Sequence, residues 1–109
     1  MNTSKVSPSI KFRTNPEQDR RIRAHIFVSG RVQGVFFRAK TREKAEELGL
    51  TGWVKNLPGS RLEAVFEGEK AKVGQILDWA KSGPAGAIVS DLEVVWEEYK
   101  AEFSGFEIM

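Results

Sequence analysis

The chain has 109 residues, 40% of them hydrophobic and 29% charged, which suits one small domain built on a single core. It contains no cysteine, so disulfides and thiolate metal sites are excluded, and no apolar stretch approaches the roughly 20 residues needed to span a bilayer. Five basic residues against Glu17 and Asp19 give residues 1–21 a net charge of +3, whereas twelve basic and thirteen acidic residues leave the rest at −1; the basic balance sits in the N-terminal segment, and a nucleic-acid surface on the body is disfavoured.

Residues 1–21 are polar, carry Pro8 and Pro16 and show no sustained periodicity. They are expected to form a disordered extension, followed by one domain over residues 22–109. No apolar central region marks a secretory signal, and Glu17 and Asp19 count against a transit peptide, so the expected location is the cytoplasm.

The first strand is predicted over Ile22 to Ser29, with Ala24, Ile26 and Val28 on one face and His25 and Phe27 on the other. A helix from about Phe36 to Leu48 repeats Phe37, Thr41, Ala45 and Leu48 along one side, and Gly49 stands where a left-handed C-cap is expected. Thr51 to Leu57 forms the second strand. Leu57-Pro58-Gly59-Ser60 reads as a turn, with Pro58 at its first central position and Gly59 supplying positive φ. Arg61 to Gly68 completes the hairpin, alternating Leu62, Ala64 and Phe66 with charged residues. The second helix, from about Glu69 to Lys81, spaces Val73, Ile76, Leu77 and Ala80 helically and ends at Ser82-Gly83-Pro84. Ser90 to Glu98 is the fourth strand, and Gly105 to Met109 a short last one. The order β-α-β-β-α-β with right-handed crossovers gives an α+β, ferredoxin-like sandwich: a mostly antiparallel sheet, two helices on one face, and a short fifth edge strand.

The stretch between the first strand and first helix carries the chemistry. Gly30 and Gly34 remove side chains where the backbone turns sharply or a ligand comes close. A loop feeding a helix N-terminus gathers unpaired N–H groups, and the helix dipole adds partial positive charge. Arg38, in the first helical turn, brings a five-donor guanidinium to the same anion. The spacing fits neither the three-glycine dinucleotide fingerprint nor the nucleotide P-loop. In the split arrangement the third strand fills the gap between the first two, and Asn56 lies near the C-terminal end of the second strand, so loop, Arg38 and Asn56 converge at one sheet edge.

Gly30-Arg31-Val32-Gln33-Gly34-Val35-Phe36-Phe37-Arg38, followed by Gly52-Trp53-Val54-Lys55-Asn56-Leu57, closely resembles the two signatures of the acylphosphatases. The likeness continues through Gly83-Pro84 and the tail from Trp96 to Phe106, and covers roughly residues 22–109. It implies a metal-free, cofactor-free hydrolase that splits acyl phosphates into carboxylate and inorganic phosphate. Residues 31–38, namely Arg31, Val32, Gln33, Gly34, Val35, Phe36, Phe37 and Arg38, are then expected to cradle the phosphoryl group, and Arg38 and Asn56 to be catalytic, the latter by positioning the attacking water. Acyl phosphate and inorganic phosphate are the expected partners, with no nucleic acid or membrane, and the chain is expected to be a monomer. One departure stands out: the hairpin commonly carries Asp-Gly in this family, against Pro58-Gly59-Ser60 here.

Other candidates read more simply. His25, the only histidine, is expected at the surface; Thr41, Trp53, Trp79 and Trp96 are expected to pack, with Trp53 free to border the pocket. Lys55 points away from Asn56 and is expected to be solvated, and Gln33 to contribute its backbone N–H. Two alternative functions are open: a ferredoxin-like RNA-binding module, which needs exposed aromatics on the central strands, and a phosphate-sensing domain without turnover.

Overall fold

Five strands and three helices are present in the computed structural model, which describes residues 16–109. They run α1 (Pro16–Asp19), β1 (Arg21–Arg31), α2 (Phe37–Glu47), β2 (Thr51–Leu57), β3 (Arg61–Glu69), α3 (Lys70–Ala80), β4 (Ile88–Glu97) and β5 (Phe106–Ile108). The strands form one sheet in the order β4-β1-β3-β2-β5, antiparallel except for the parallel pair β2–β5. Each helix returns the chain to a strand that does not neighbour the one it left, so β3 lies between β1 and β2. The fold is the ferredoxin-like α+β sandwich expected from the order of elements. Among the described residues no helix is long and apolar enough to cross a membrane.

The core lies between the sheet and the two long helices. Ala24, Ile26 and Val28 of β1, Leu62, Ala64 and Phe66 of β3, and Val54 of β2 meet Phe37 and Ala45 of α2 and Val73, Ile76, Leu77 and Ala80 of α3, all buried. The period-2 and period-3.6 stripes of the sequence therefore both point inward as their spacing requires. The strand register fixes where Asn56 comes to lie. Leu92, Val28, Leu62 and Asn56 form one cross-strand row on the helix-facing side, since Val28 pairs with both Leu92 and Leu62, and Leu62 with Asn56. α2 ends in a Schellman arrangement, Leu50 N–H donating to Ala45 O at 2.8 Å and Gly49 N–H to Glu46 O at 3.1 Å.

Several expectations change. The disordered extension expected over residues 1–21 lies outside the described residues up to residue 15; beyond it, Pro16–Asp19 form a helical turn whose Glu17 accepts from Lys70 Nζ at 2.7 Å, and Arg21 opens β1. The sheet face away from the helices is closed in part, only Val65 and Glu67 among the described residues being buried on it. The segment after β4 crosses Glu67 there: its carboxylate accepts from the backbone N–H of Lys100 at 2.8 Å and of Glu102 at 3.0 Å. Arg23, over the Phe103 ring, bonds Glu67, Glu97 and Glu102. His25 is not a free surface residue but half-buried, with Nδ1 2.8 Å from Glu97 and Nε2 2.6 Å from Glu63. Trp96 does not pack; it is 59% exposed, because β4 is an edge strand. In the hairpin Ser60 joins Gly59 in the left-handed region (φ 57° and 81°).

Candidate active site

The glycine at the end of β1 serves a different purpose from the one its spacing suggests. The β1–β4 register shifts between Ser29 and Gly30, and a Cβ at Gly30 would overlap the Ile88 carbonyl oxygen. Gly30 thus admits the neighbouring strand rather than a ligand, and at this bulge β1 leaves its pairing with β3 while staying paired with β4 as far as Arg31. Its N–H donates to Ser60 O at 3.2 Å, and the loop folds back towards the β2–β3 turn. Gly34 stands free at φ 75°, with no atom within 4 Å of where a Cβ would sit, and leaves the loop open on the pocket side.

Gln33 locks this return. Its Nε2 donates to Leu57 O at 2.7 Å and to Arg61 O at 2.9 Å. The side chain, and not only the backbone N–H, therefore fixes the height of the loop above the sheet edge. The two carbonyls flank the β2–β3 turn, which no local pattern in the sequence of the loop foretells.

Phe36 is the N-cap of α2 and adopts a left-handed backbone (φ 61°, ψ 24°) with no side-chain cap. The N–H groups of the first helical turn, Phe37, Arg38 and Ala39, thus lack intrahelical partners. Among the described residues no acceptor takes the N–H of Gln33, Gly34, Val35 or Phe36 either; within the loop only Val32 N–H is used, donating to Gly30 O at 3.0 Å. A left-handed conformation at a non-glycine residue costs on the order of 1–3 kcal/mol and concentrates at functional sites.

One cavity of about 420 Å³ collects these features. Val32, Gln33, Gly34, Phe36, Phe37, Arg38, Ala39, Asn56 and Ile108 line it. Of the expected site residues, Arg31 and Val35 do not: Arg31 is the exposed end of β1, paired with Ile88, and Val35 packs against the core. Trp53 and Lys55 project from the other sheet face, where Lys55 lies over the Trp53 ring and 3.7 Å from Glu63. Among the described residues the buried Asn56 Oδ1 atom has no hydrogen-bond partner and Arg38 no carboxylate partner. A buried acceptor left empty costs about 1–3 kcal/mol. Thr41 is buried as expected, though its Oγ1 also lacks a partner among the described residues. Ile108 and Ala39 were not foreseen as lining residues; Ile108 reaches the cavity through the parallel pairing of β5 with β2, which leaves no periodic signature.

The pocket thus sets amide donors, one guanidinium and one vacant acceptor around a space open to solvent. The family model for acylphosphatase matches residues 24–108, which include every one of these groups. The chain belongs to the acylphosphatase family. An acylphosphatase of Pyrobaculum calidifontis is 50% identical over 101 residues, spanning 92% of each chain. Another, of Pelotomaculum thermopropionicum, is 49% identical over 88 residues, 81% of this chain and 96% of that protein. Solved structures agree: the Coxiella burnetii acylphosphatase superposes with a TM-score of 0.79 at 38% identity, covering 88% of this chain and 100% of that one. The Bacillus subtilis acylphosphatase gives 0.77 at 32% identity, covering 81% and 98%. The chain is accordingly a hydrolase of the acylphosphatase family with that family's fold.

Proposed function

We propose that this acylphosphatase hydrolyses acyl phosphates by direct attack of water on a phosphoryl group held by the 31–38 loop and Arg38. The observation that carries the reading is the shared cavity: Arg38 without a carboxylate partner among the described residues, loop amides without acceptors, and the vacant Asn56 Oδ1 all line or border it. The phosphoryl oxygens take the loop N–H groups and the guanidinium. Asn56 Oδ1 accepts a hydrogen bond from a water and turns a lone pair of its oxygen towards phosphorus. A phosphorus–oxygen bond to that water forms as the bond to the acyl oxygen breaks. The electron pair leaves on a carboxylate, and the water's proton passes to solvent or to the phosphate product.

The residues suit this leaving group and no poorer one. A carboxylate with a pKa of roughly 4 departs without a proton, so no general acid is required. A loose transition state asks little of the nucleophile, and charge complementarity to the phosphoryl oxygens supplies most of the acceleration. Asn56 cannot act as a strong base at neutral pH, and here it need not. Alkyl phosphate monoesters, lacking this advantage, are expected to be poor substrates.

The test follows loss of a chromophoric aromatic acyl phosphate by absorbance, with and without chelator. Wild type is expected to turn over equally in both, whereas Arg38→Ala loses measurable hydrolysis and weakens inhibition by inorganic phosphate. Arg38→Lys recovers little, because a point charge does not reproduce the planar fork. An Arg38→Ala protein that keeps wild-type turnover defeats the assignment. Phosphate binding without any turnover in the wild type would favour a sensor instead.

A further inference from the structure

The cavity is larger than a phosphoryl group needs and is divided by chemistry. At about 420 Å³ it falls in the range of sites that enclose whole organic ligands, about 300–1,000 Å³. Gln33, Gly34, Arg38 and Asn56 form the polar part. Val32 and Phe37 form a buried apolar floor, and Phe36, Ala39 and Ile108 complete the lining as exposed residues. Phe36 is 79% exposed and Ile108 39%, so the rim carries an aromatic ring and a branched aliphatic chain left largely uncovered among the described residues.

Phe36 is the telling residue. Its left-handed backbone would be relieved by glycine or asparagine, yet a large apolar side chain stands there, directed away from the core. Phe37, next in the chain, already supplies the buried ring, stacked edge-on against Trp79 at 5.5 Å. The Phe36 ring therefore adds nothing to the core. Arg38 is the one charged side chain among the lining residues, so a second anionic group on a ligand would meet no cation in the cavity. Beyond Ile108 the next depression holds Lys40, Arg42, Glu43 and Glu46, whose charges already pair as Lys40–Glu43 at 3.3 Å and Arg42–Glu46 at 3.2 Å.

We propose that Phe36 and Ile108 form a subsite for the acyl group, which selects uncharged, apolar acyl phosphates and aromatic ones above all. The inference rests on the phosphoryl reading above, and adds what that reading leaves open: the part of the substrate that departs. Phe36 gives an aromatic acyl group a face or edge to stack on, and Ile108 adds a branched aliphatic side chain to the same lining.

Benzoyl, acetyl and succinyl phosphate are compared on wild type, Phe36→Asn and Ile108→Ser. Asparagine tolerates the left-handed backbone, so Phe36→Asn removes the ring without adding strain. Wild type is expected to favour benzoyl over acetyl phosphate about tenfold or more in kcat/KM, the discrimination typical of an apolar pocket. Succinyl phosphate, with its second carboxylate, comes last. Phe36→Asn brings the benzoyl-to-acetyl ratio towards one, chiefly through KM for the benzoyl compound, and Ile108→Ser lowers it in part. Should either variant fold poorly, wild type alone decides: phenylphosphonate is expected to inhibit more tightly than methylphosphonate, and equal inhibition overturns the subsite. So does an unchanged ratio in both variants, or a preference for succinyl phosphate. A wild type that hydrolyses acetyl and benzoyl phosphate equally overturns the subsite alone; one that hydrolyses neither overturns the phosphoryl reading and the subsite with it.

Discussion

Asn56 is held at its post by a pairing, not by a bond of its own side chain. Opposite Leu62, two residues along β2 from buried Val54, it must face the helices, and its Oδ1 is left vacant there. Asn56→Ala is expected to lower kcat by about 10²–10³, the loss seen when one preorganised polar group is removed from a charge-stabilising site. Inhibition by inorganic phosphate should persist in that variant, because the proposed anion seat is the loop and Arg38. Asn56→Asp keeps the shape but sets a carboxylate against a dianion, so it is expected to lose phosphate inhibition as well as turnover. Full activity in Asn56→Ala removes the water-positioning role. That Arg38 and Asn56 share one cavity was legible in the sequence because each is fixed by its own element, one by the first helical turn and one by strand alternation. The Gln33 side chain was not, because its acceptors belong to a turn more than twenty residues away.

At the scale of elements, two devices set the walls of the pocket. The first is the Gln33 clamp between the loop and the β2–β3 turn. Gln33→Ala is expected to raise the phosphate inhibition constant roughly tenfold, since anion binding through preorganised amides loses affinity once the loop must be ordered by the ligand. Competition against a chromogenic acyl phosphate reads this directly, and an unaltered constant shows that the clamp does not hold the site. The second is the strap after β4. Glu67, 1% exposed, gathers the N–H groups of Lys100 and Glu102 and the Arg23 guanidinium beneath it, and so leads the chain to β5 and Ile108. Glu67→Ala leaves a buried cation and two amides short of an acceptor, and is expected to cost about 3 kcal/mol. A urea midpoint shift checks it. All five strands and both long helices were legible from periodicity within about two residues at each end. The strap was not: residues 98–105 have no period, and the buried Glu67 looks in sequence like one more solvent-facing charge on an alternating strand.

The whole sheet is tied across its outer face by charge, and this gives the molecule a pH dependence separate from its chemistry. His25 on β1 stands between Glu97 on β4 and Glu63 on β3, with Arg23 and Lys55 also bonded or paired to those carboxylates. Both ring nitrogens face carboxylate oxygens, and only the doubly protonated ring donates to both. Burial alone would push the imidazolium pKa down; the hydrogen bonds the ring donates to Glu97 and Glu63 outweigh it and hold the value above the ordinary one. In the unfolded chain histidine titrates near pH ~6.5. The stabilisation from this bridge is therefore fully present below that pH and is lost as pH rises through the higher folded value. Glu97 behaves oppositely. The His25 bond holds its pKa below the usual carboxylate value against burial, so its contribution is lost as pH falls through that lowered value. Melting temperature is thus expected to peak in mildly acidic solution and to fall as pH is raised from about 6.5 towards 9. In His25→Gln, which keeps one donor and no charge, the melting temperature at pH 6 drops and the fall on the alkaline side flattens. Calorimetric melts of both proteins across that range decide the matter: parallel curves mean that the imidazolium bridge contributes nothing to the fold. Because Arg38 and Asn56 are on the helix-facing side and His25 on the other, kcat of the folded variant should follow the wild-type pH profile while stability alone departs from it.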